Sequence, residues 1–375
     1  MTTDTTLIEK REELKRRLAA GEYKTLVDIF LEWFDRLIRK IIRQSKPLPI
    51  WLITIVLSLV FTLIGFAILY FTGDLTTFHK ISKLGKLEYE SIVLWTISNI
   101  VLVVVGSIFI NLYIRQTFVF WRNEMLNAIE SVLSLNEFED WLEKVCNRRL
   151  HILITIIGGL TSILLLVIPL SSLLREFVGY GFTLVTIIIN IFVWSLIYQL
   201  FLIVMLSAGL RRYHLKLFAS DPGSSELVSR LSGELSLVVY FVAIFAVVLT
   251  FTTALVGLLP TFGFLLLLFY WNPIIAIFII NQTSLSTIIR RVKWKTLNEI
   301  QMKVEKLQTS RNFGNQETMD AIKRLMDYHD RVKATRDSAL DFRAYLGFIN
   351  SLLLPLLAFL LGNLDLVLKL FGIKP

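Results

Sequence analysis

The sequence predicts an all-α protein: a polytopic transmembrane helix bundle of about seven spans, N-terminus inside, with helical cytoplasmic extensions. Three observations predict this class. Apolar residues make up 55% of the 375 and charged residues only 18%, for a mean hydropathy of +0.65. The charges are segregated: the stretch from Leu235 to Ile289 carries none, whereas a helix needs only about 20 apolar residues to cross a ~30 Å hydrocarbon layer. The basic residues, finally, fall overwhelmingly on one side of the apolar runs.

Residues 1–48 read as amphipathic N-terminal helices, cytoplasmic or interfacial. Within 22–43, Leu26, Phe30, Trp33, Phe34, Leu37 and Ile41 share one face, beside Arg36, Arg39, Lys40 and Arg43. Such a helix can lie on the inner leaflet or pack onto other cytoplasmic helices, and the sequence leaves both open. The first long apolar run starts near Ile50, after a charged stretch, which is unlike a cleaved signal peptide. The membrane domain, 49–375, holds spans at about 50–72, 91–114, 150–174, 178–208, 236–258, 261–282 and 346–368. The last of these meets Asp365 and Lys369, so it is either a short span with snorkelling ends or a partly interfacial helix.

Orientation follows from positive charge, which is retained in cytoplasmic segments close to span ends. Residues 1–49, 115–149, 209–235 and 283–345 together hold 33 Lys and Arg, against 6 on the opposite side. This split accounts for the net charge of +9, so a nucleic-acid partner is not called for, and the lipid bilayer is. It predicts a multi-pass protein of the cell membrane with its extramembrane mass in the cytoplasmic segments 115–149, 209–235 and 283–345. In the first of these, Ser134 to Glu137 reads as a capping box opening a helix with Phe138, Trp141, Leu142 and Val145 on one face. In the last, Leu297, Ile300, Val304 and Leu307 follow helical spacing, Gly314 ends that helix, and Met319, Ile322, Leu325, Met326 and Val332 mark another. The stretch Asp221 to Ser225 reads as a turn leading into a helix N-cap.

No catalytic or metal-binding arrangement emerges. His79, His151, His214 and His329 are scattered, and the chain has no HExxH, GxSxG or phosphate-binding loop. The expectation is a protein that is not an enzyme and takes no metal or cofactor. Cys146 is the only cysteine, so no intramolecular disulfide is possible. Spans one to six have no Asp, Glu, Lys or His in their interiors, which disfavours a proton relay.

Neutral polar residues do enter the spans. Asn99, Ser107 and Asn111 share a face of span two, and Thr183, Thr186 and Asn190 a face of span four; each set either bonds helices together or lines a path. In span six, Tyr270-Trp271-Asn272-Pro273 puts a helix breaker at mid-depth and frees the Phe269 carbonyl. Asn272 and Pro273 are therefore candidates for a gate or pocket. The seventh span carries Asn350 and Ser351, then Pro355, then Gly362, Asn363 and Asp365. Pro355, Asn363 and Asp365 are pore candidates, since a ring of Asp365 in a symmetric oligomer attracts cations; the alternative is a helix end among headgroups. Val178-Gly179-Tyr180-Gly181 resembles the potassium-channel filter. Phe177 and Phe182 replace the flanking residues of that signature, however, and Pro169 lies too close upstream for a pore helix, so a glycine turn explains it better.

Seven spans with the N-terminus inside, a compressed exterior and a large helical segment before the last span look like the insect odorant and gustatory receptor superfamily of ligand-gated cation channels. The resemblance is one of topology over the whole chain. It implies an ion channel in which cytoplasmic helices join subunits of a homo-oligomer. The family's C-terminal Thr-Tyr and Gln-Phe signature is absent from 346–375, so no pore residue is carried over. Two functions follow as expectations: a channel-like homo-oligomer conducting ions, or a non-conducting membrane anchor that holds a cytoplasmic protein partner.

Overall fold

The computed structural model describes residues 2–43, 45–72, 89–162, 180–255, 259–309, 316–338 and 342–362. Its helices are α1 (Thr2–Ala19), α2 (Leu26–Ile42), α3 (Ile50–Phe71), α4 (Tyr89–Phe120), α5 (Val132–Cys146), α6 (Arg148–Ser162), α7 (Tyr180–Leu210), α8 (Glu226–Leu255), α9 (Leu259–Thr309), α10 (Gln316–Ala334) and α11 (Phe342–Gly362). Five of them, α3, α4, α7, α8 and α9, are long and apolar enough to cross a membrane, as a multi-pass membrane protein requires. The predicted third and seventh spans correspond to α6 and α11; their remaining residues, with Asn363, Asp365 and Gly314, lie outside the described ones. No β-strand forms among the described residues.

Apolar side chains fill the bundle. Leu69, Ile100, Val103, Val185 and Ile189 bring α3, α4 and α7 together. On α6, Gly158 faces Trp194 of α7 so closely that an added Cβ would run into the indole; only glycine permits that approach.

At the end of the bundle that carries the basic residues sits a core like that of a soluble protein. Helix α4 continues through a π-helical turn at Trp121–Met125, and Trp121 stacks on Phe138 of α5 at 3.8 Å. Tyr213 meets the same indole edge-on. Met125, Leu126, Ile129, Leu135 and Leu142 are fully buried around them, each gaining about 1.5–3 kcal/mol from removal of its apolar surface from water. Trp141 Nε1 donates to the Leu202 carbonyl at 2.8 Å, tying α5 to α7. Helix α1 is held on α5 by Lys10 and Arg17, both paired with Glu139. Arg291 of α9 donates to the Arg211, Arg212 and Tyr213 carbonyls in the turn that follows α7.

Several local expectations are corrected. Helix α5 starts at Val132, before the supposed capping box, and Ser134 instead accepts from the His214 backbone N–H. The apolar face of 22–43 is divided. Leu31, Phe34 and Ile38 pack inward on α3 and α4, whereas Phe30, Trp33, Leu37 and Ile41 stay exposed. The fifth span is the far part of a helix that begins at Glu226. Likewise span six and the helix of Leu297 are one continuous α9, despite Pro273 inside it. Ile322, Leu325 and Val332 of α10 close on Leu297, Ile300 and Val304 to make a hairpin, but Met319 and Met326 point away from that seam.

Candidate functional site

The polar residues that stand on α8 at Ser229, Ser232 and Ser236 follow one another at three- and four-residue spacing, which puts them on one face of the helix. That face does not pack. It borders a cavity of about 550 Å³ lined also by α11, by Phe278 of α9, by Gly223 and Ser224 of the turn Pro222–Ser224 and by Arg336 and Ser338 after α10. Near the helix ends the walls are Gly223, Ser224, Ser229, Ser232, Arg336 and Ser338; deeper in they are Val239, Tyr240, Phe278, Phe348 and Ser351.

The floor is fixed by close packing. Gly347 of α11 lies against the Tyr240 ring so tightly that an added Cβ would strike its hydroxyl. Phe278 and Phe348 stack at 3.8 Å. Ser236 and Ser351 donate their hydroxyls to the carbonyls of Ser232 and Gly347 at 2.8 and 2.9 Å, so toward the cavity they offer oxygen lone pairs. Arg336 supplies the only formal charge among the described lining residues, and it makes no ion pair with the described residues. Its backbone is held from below: Lys293 of α9, 6% exposed, donates to the Thr335 carbonyl and to Asp337 Oδ1, both at 2.7 Å. The Lys293 hydrogen bond keeps the Asp337 carboxyl below its ordinary range. Chemically the cavity has a cationic, hydroxyl-rich mouth and an aromatic floor.

Of the residues singled out from sequence, few come near it. Ser351 lines it, while Asn272 and Pro273 are exposed on the outward side of α9. Pro355 lies on α11 beyond the cavity's described walls. Asn111 is buried and bonds across to α2, where Thr25 Oγ1 donates to its Oδ1 at 2.6 Å and its Nδ2 donates to Asp28 at 2.7 Å. Arg115 completes the cluster on Asp28. Asn99 is buried in α4, and Ser107 is partly so. In α7, Asn190 Nδ2 donates to the Thr186 carbonyl of its own helix at 2.9 Å, and Thr183 is half-buried. Tyr180 and Gly181 form the first turn of α7; Val178 and Gly179 lie outside the described residues.

Two polar features had no place in the sequence reading. Asn281 of α9 accepts from Ser207 of α7 at 2.6 Å and donates to the Leu235 carbonyl of α8 at 3.1 Å, joining three helices. Gln199 of α7, 2% exposed, has no partner for either amide atom among the described residues. The serine stripe of α8 was visible as Ser229, Ser232, Gly233 and Ser236, small residues at helical spacing beside Arg230 and Glu234.

No protein-family model matches the chain, and no curated protein and no solved structure matches it either.

Proposed function

We propose that this is a multi-pass membrane protein that admits a small anionic solute from the cytoplasm into the α8–α11 cavity, in the manner of a channel or carrier. The observation that carries the reading is the cavity itself: a 550 Å³ space lined by serines, with Arg336 as the one charge among its described lining residues. The Arg336 guanidinium and the hydroxyls of Ser229 and Ser232 can donate to carboxylate or phosphate oxygens, and the aromatic floor suits an apolar body behind that head. Cytoplasmic placement is supported by the 33 to 6 division of Lys and Arg.

The path runs within the chain. Along α11, Gly347 and Ser351 turn toward α8, while Leu346, Leu353, Leu354, Leu357 and Leu361 are exposed on the outside, a face suited to lipid more than to a water-filled oligomer axis. This reading differs from a homo-oligomeric pore in which a ring of Asp365 attracts cations: a mouth carrying Arg336 favours anions. The test is flux in reconstituted vesicles. Carboxylate or phosphate uptake that falls at least tenfold in Arg336→Glu and in Ser232→Phe supports the reading. Absence of both flux and ligand-induced stabilisation for any carboxylate or phosphate overturns it.

A second reading rests on the hairpin of α9 and α10, which leaves Met302, Met319 and Met326 exposed. On this reading the protein is a non-conducting anchor, and the hairpin seats a cytoplasmic protein or another copy of the chain. Charged substitutions at the three methionines should then abolish association and leave solute flux unaltered.

A further inference from the structure

Helix α2 is one wide apolar sector divided between two surroundings. Its inward half, Leu31, Phe34 and Ile38, packs on α3 and α4, and its register is locked. The capping box of Thr25 and Asp28 opens the helix, and Asp28, 3% exposed, is held by Asn111 and Arg115 of α4. The outward half therefore cannot rotate into the protein. It presents Phe30, Trp33, Leu37 and Ile41, recurring at three- and four-residue spacing and 38–73% exposed.

Along the edge of that face stand cations, several of them without an ion partner among the described residues. Arg39 pairs with Asp35, and among the described residues Arg36 donates to the Glu32 carbonyl. Lys40, Arg43 and Lys46 form no ion pair with the described residues. Arg36 and Lys40 follow Trp33 and Leu37 by three residues each, which places them along the edge of the exposed apolar stripe.

The stripe is also continuous with a membrane-facing surface. Arg43 ends α2 in a left-handed conformation (φ 59°), and α3 begins at Ile50 after a short Pro-containing link. There Trp51, Ile55, Leu59 and Leu63 are exposed along the outside of a span. Trp33 and Trp51, 52% and 63% exposed, flank the link, and tryptophan is the residue that settles at headgroup level.

We infer that α2 lies in the plane of the inner leaflet and binds anionic phospholipid. Phe30, Trp33, Leu37 and Ile41 enter the acyl boundary, and Arg36, Lys40 and Arg43 contact the headgroups. A soluble protein partner would match the apolar stripe but not its continuation into the outer face of α3. The inference does not depend on the solute cavity, which lies at α8 and α11.

The full chain carrying Cys146→Ser and Leu37→Cys, labelled at position 37 with a bimane fluorophore, tests it in vesicles. Brominated phosphatidylcholine and brominated phosphatidylglycerol serve in turn as lipid quenchers, and iodide as the aqueous one. Expected is quenching by both lipids, with phosphatidylglycerol favoured. Each basic side chain near an anionic surface contributes about fivefold, so Arg36→Gln with Lys40→Gln and Arg43→Gln should erase that preference while quenching by phosphatidylcholine persists. Quenching by iodide and by neither lipid would overturn the inference, placing the face in water. Protection from all three quenchers would overturn it too, a protein being the cover, and a concentration-dependent size in detergent would identify that cover as a second copy. Equal quenching by the two lipids in the unsubstituted helix would reject the headgroup contacts.

Discussion

Asp28 of α2 accepts a 2.7 Å hydrogen bond from Nδ2 of Asn111 of α4, although 83 residues separate them in the chain. The same carboxylate receives Arg115 Nε and the Thr25 backbone N–H, while Asn111 Oδ1 takes the Thr25 hydroxyl. Every oxygen of the buried acid thus has a donor, which is the condition under which a charge tolerates loss of water. The cluster fixes the N-terminal helix to the first long hairpin of the bundle, and with it the outward stripe of α2.

Removing the acid should therefore be costly. Asp28→Ala leaves Asn111 with unmet donors in a buried site and Arg115 without its partner. Because Arg115 is 43% exposed, its share is reduced by solvent, and the expected loss is about 2–3 kcal/mol. Thermal unfolding in detergent measures it. Asp28→Asn should lose less than half of that amount, since the amide oxygen still accepts from one donor. An unchanged midpoint for Asp28→Ala would show that α2 is not held by this cluster.

Acid should release α1 before it unfolds the bundle. Burial by itself would raise the Glu139 carboxyl, but hydrogen bonds and charge from Lys10 and then Arg17 outweigh it and hold the group below its ordinary 4.5. A carboxylate whose folded value is depressed stabilises the fold above its unfolded value and loses that contribution as pH falls through the folded one. Docking of α1 should accordingly be constant from neutral pH down to about 5 and weaken below the ordinary carboxylate value of 4.5. Limited proteolysis across that range with an acid-active protease reads it. Glu139→Gln should make cleavage within α1 equally fast at pH 6 and pH 4; cleavage that accelerates identically in both proteins would assign the effect elsewhere.

How far the sequence could go is visible at these same residues. Charge segregation and run length made the all-helical class and the apolar helices legible, because both follow from the bilayer's demand for satisfied backbone and apolar surface. The inward face of α5 was legible for a similar reason: Phe138, Trp141, Leu142 and Val145 repeat at helical period, and all four are buried. The cap of α2 was overlooked although Thr25 and Asp28 have the right spacing, while Ser134 and Glu137, with equal spacing, do not cap. Spacing alone does not say where a helix starts; the packing of Leu135 and Phe138 draws the start of α5 back to Val132. Long-range partners were beyond reach altogether. Asn111 could be placed on a face of its helix, but nothing in one sequence pairs it with Asp28. The cavity went unread for the same reason, since α8 contributes serines, α11 a glycine, and a connector the arginine.

The single cysteine should be chemically quiet in the folded protein. Burial pushes the Cys146 thiol up to about 12, with Asp28 nearby acting in the same direction. Since the thiolate is the reactive species, fewer than about one molecule in a thousand is ionised at pH 8. N-ethylmaleimide should modify the native protein at least about a hundredfold more slowly than the detergent-denatured one, with mass spectrometry as the readout. Rapid labelling of the folded protein would mean that α5 opens on the timescale of the reaction. The result also licenses cysteine substitution elsewhere in the chain.

Two asparagines on α9 should behave in opposite ways. Asn281, 3% exposed, uses both ends of its amide, accepting from Ser207 and donating to the Leu235 carbonyl, so it holds α7, α8 and α9 in one arrangement. Asn272 faces outward beside Pro273, on a helix whose outer surface also carries Ile279. Asn281→Leu strands the Ser207 hydroxyl and crowds three helices, at an expected cost of about 2 kcal/mol from the unmet groups, consistent with the modest worth of such bonds between membrane helices. Asn272→Leu removes an amide from the lipid-facing side and should leave stability equal or higher. Thermal midpoints of the two variants in one detergent give the comparison directly. The expected order is Asn281→Leu well below the parent and Asn272→Leu at or above it. A drop for Asn272→Leu as large as that for Asn281→Leu would mean that Asn272 has a partner from another chain, and would return the Asn272–Pro273 pair to the functional candidates.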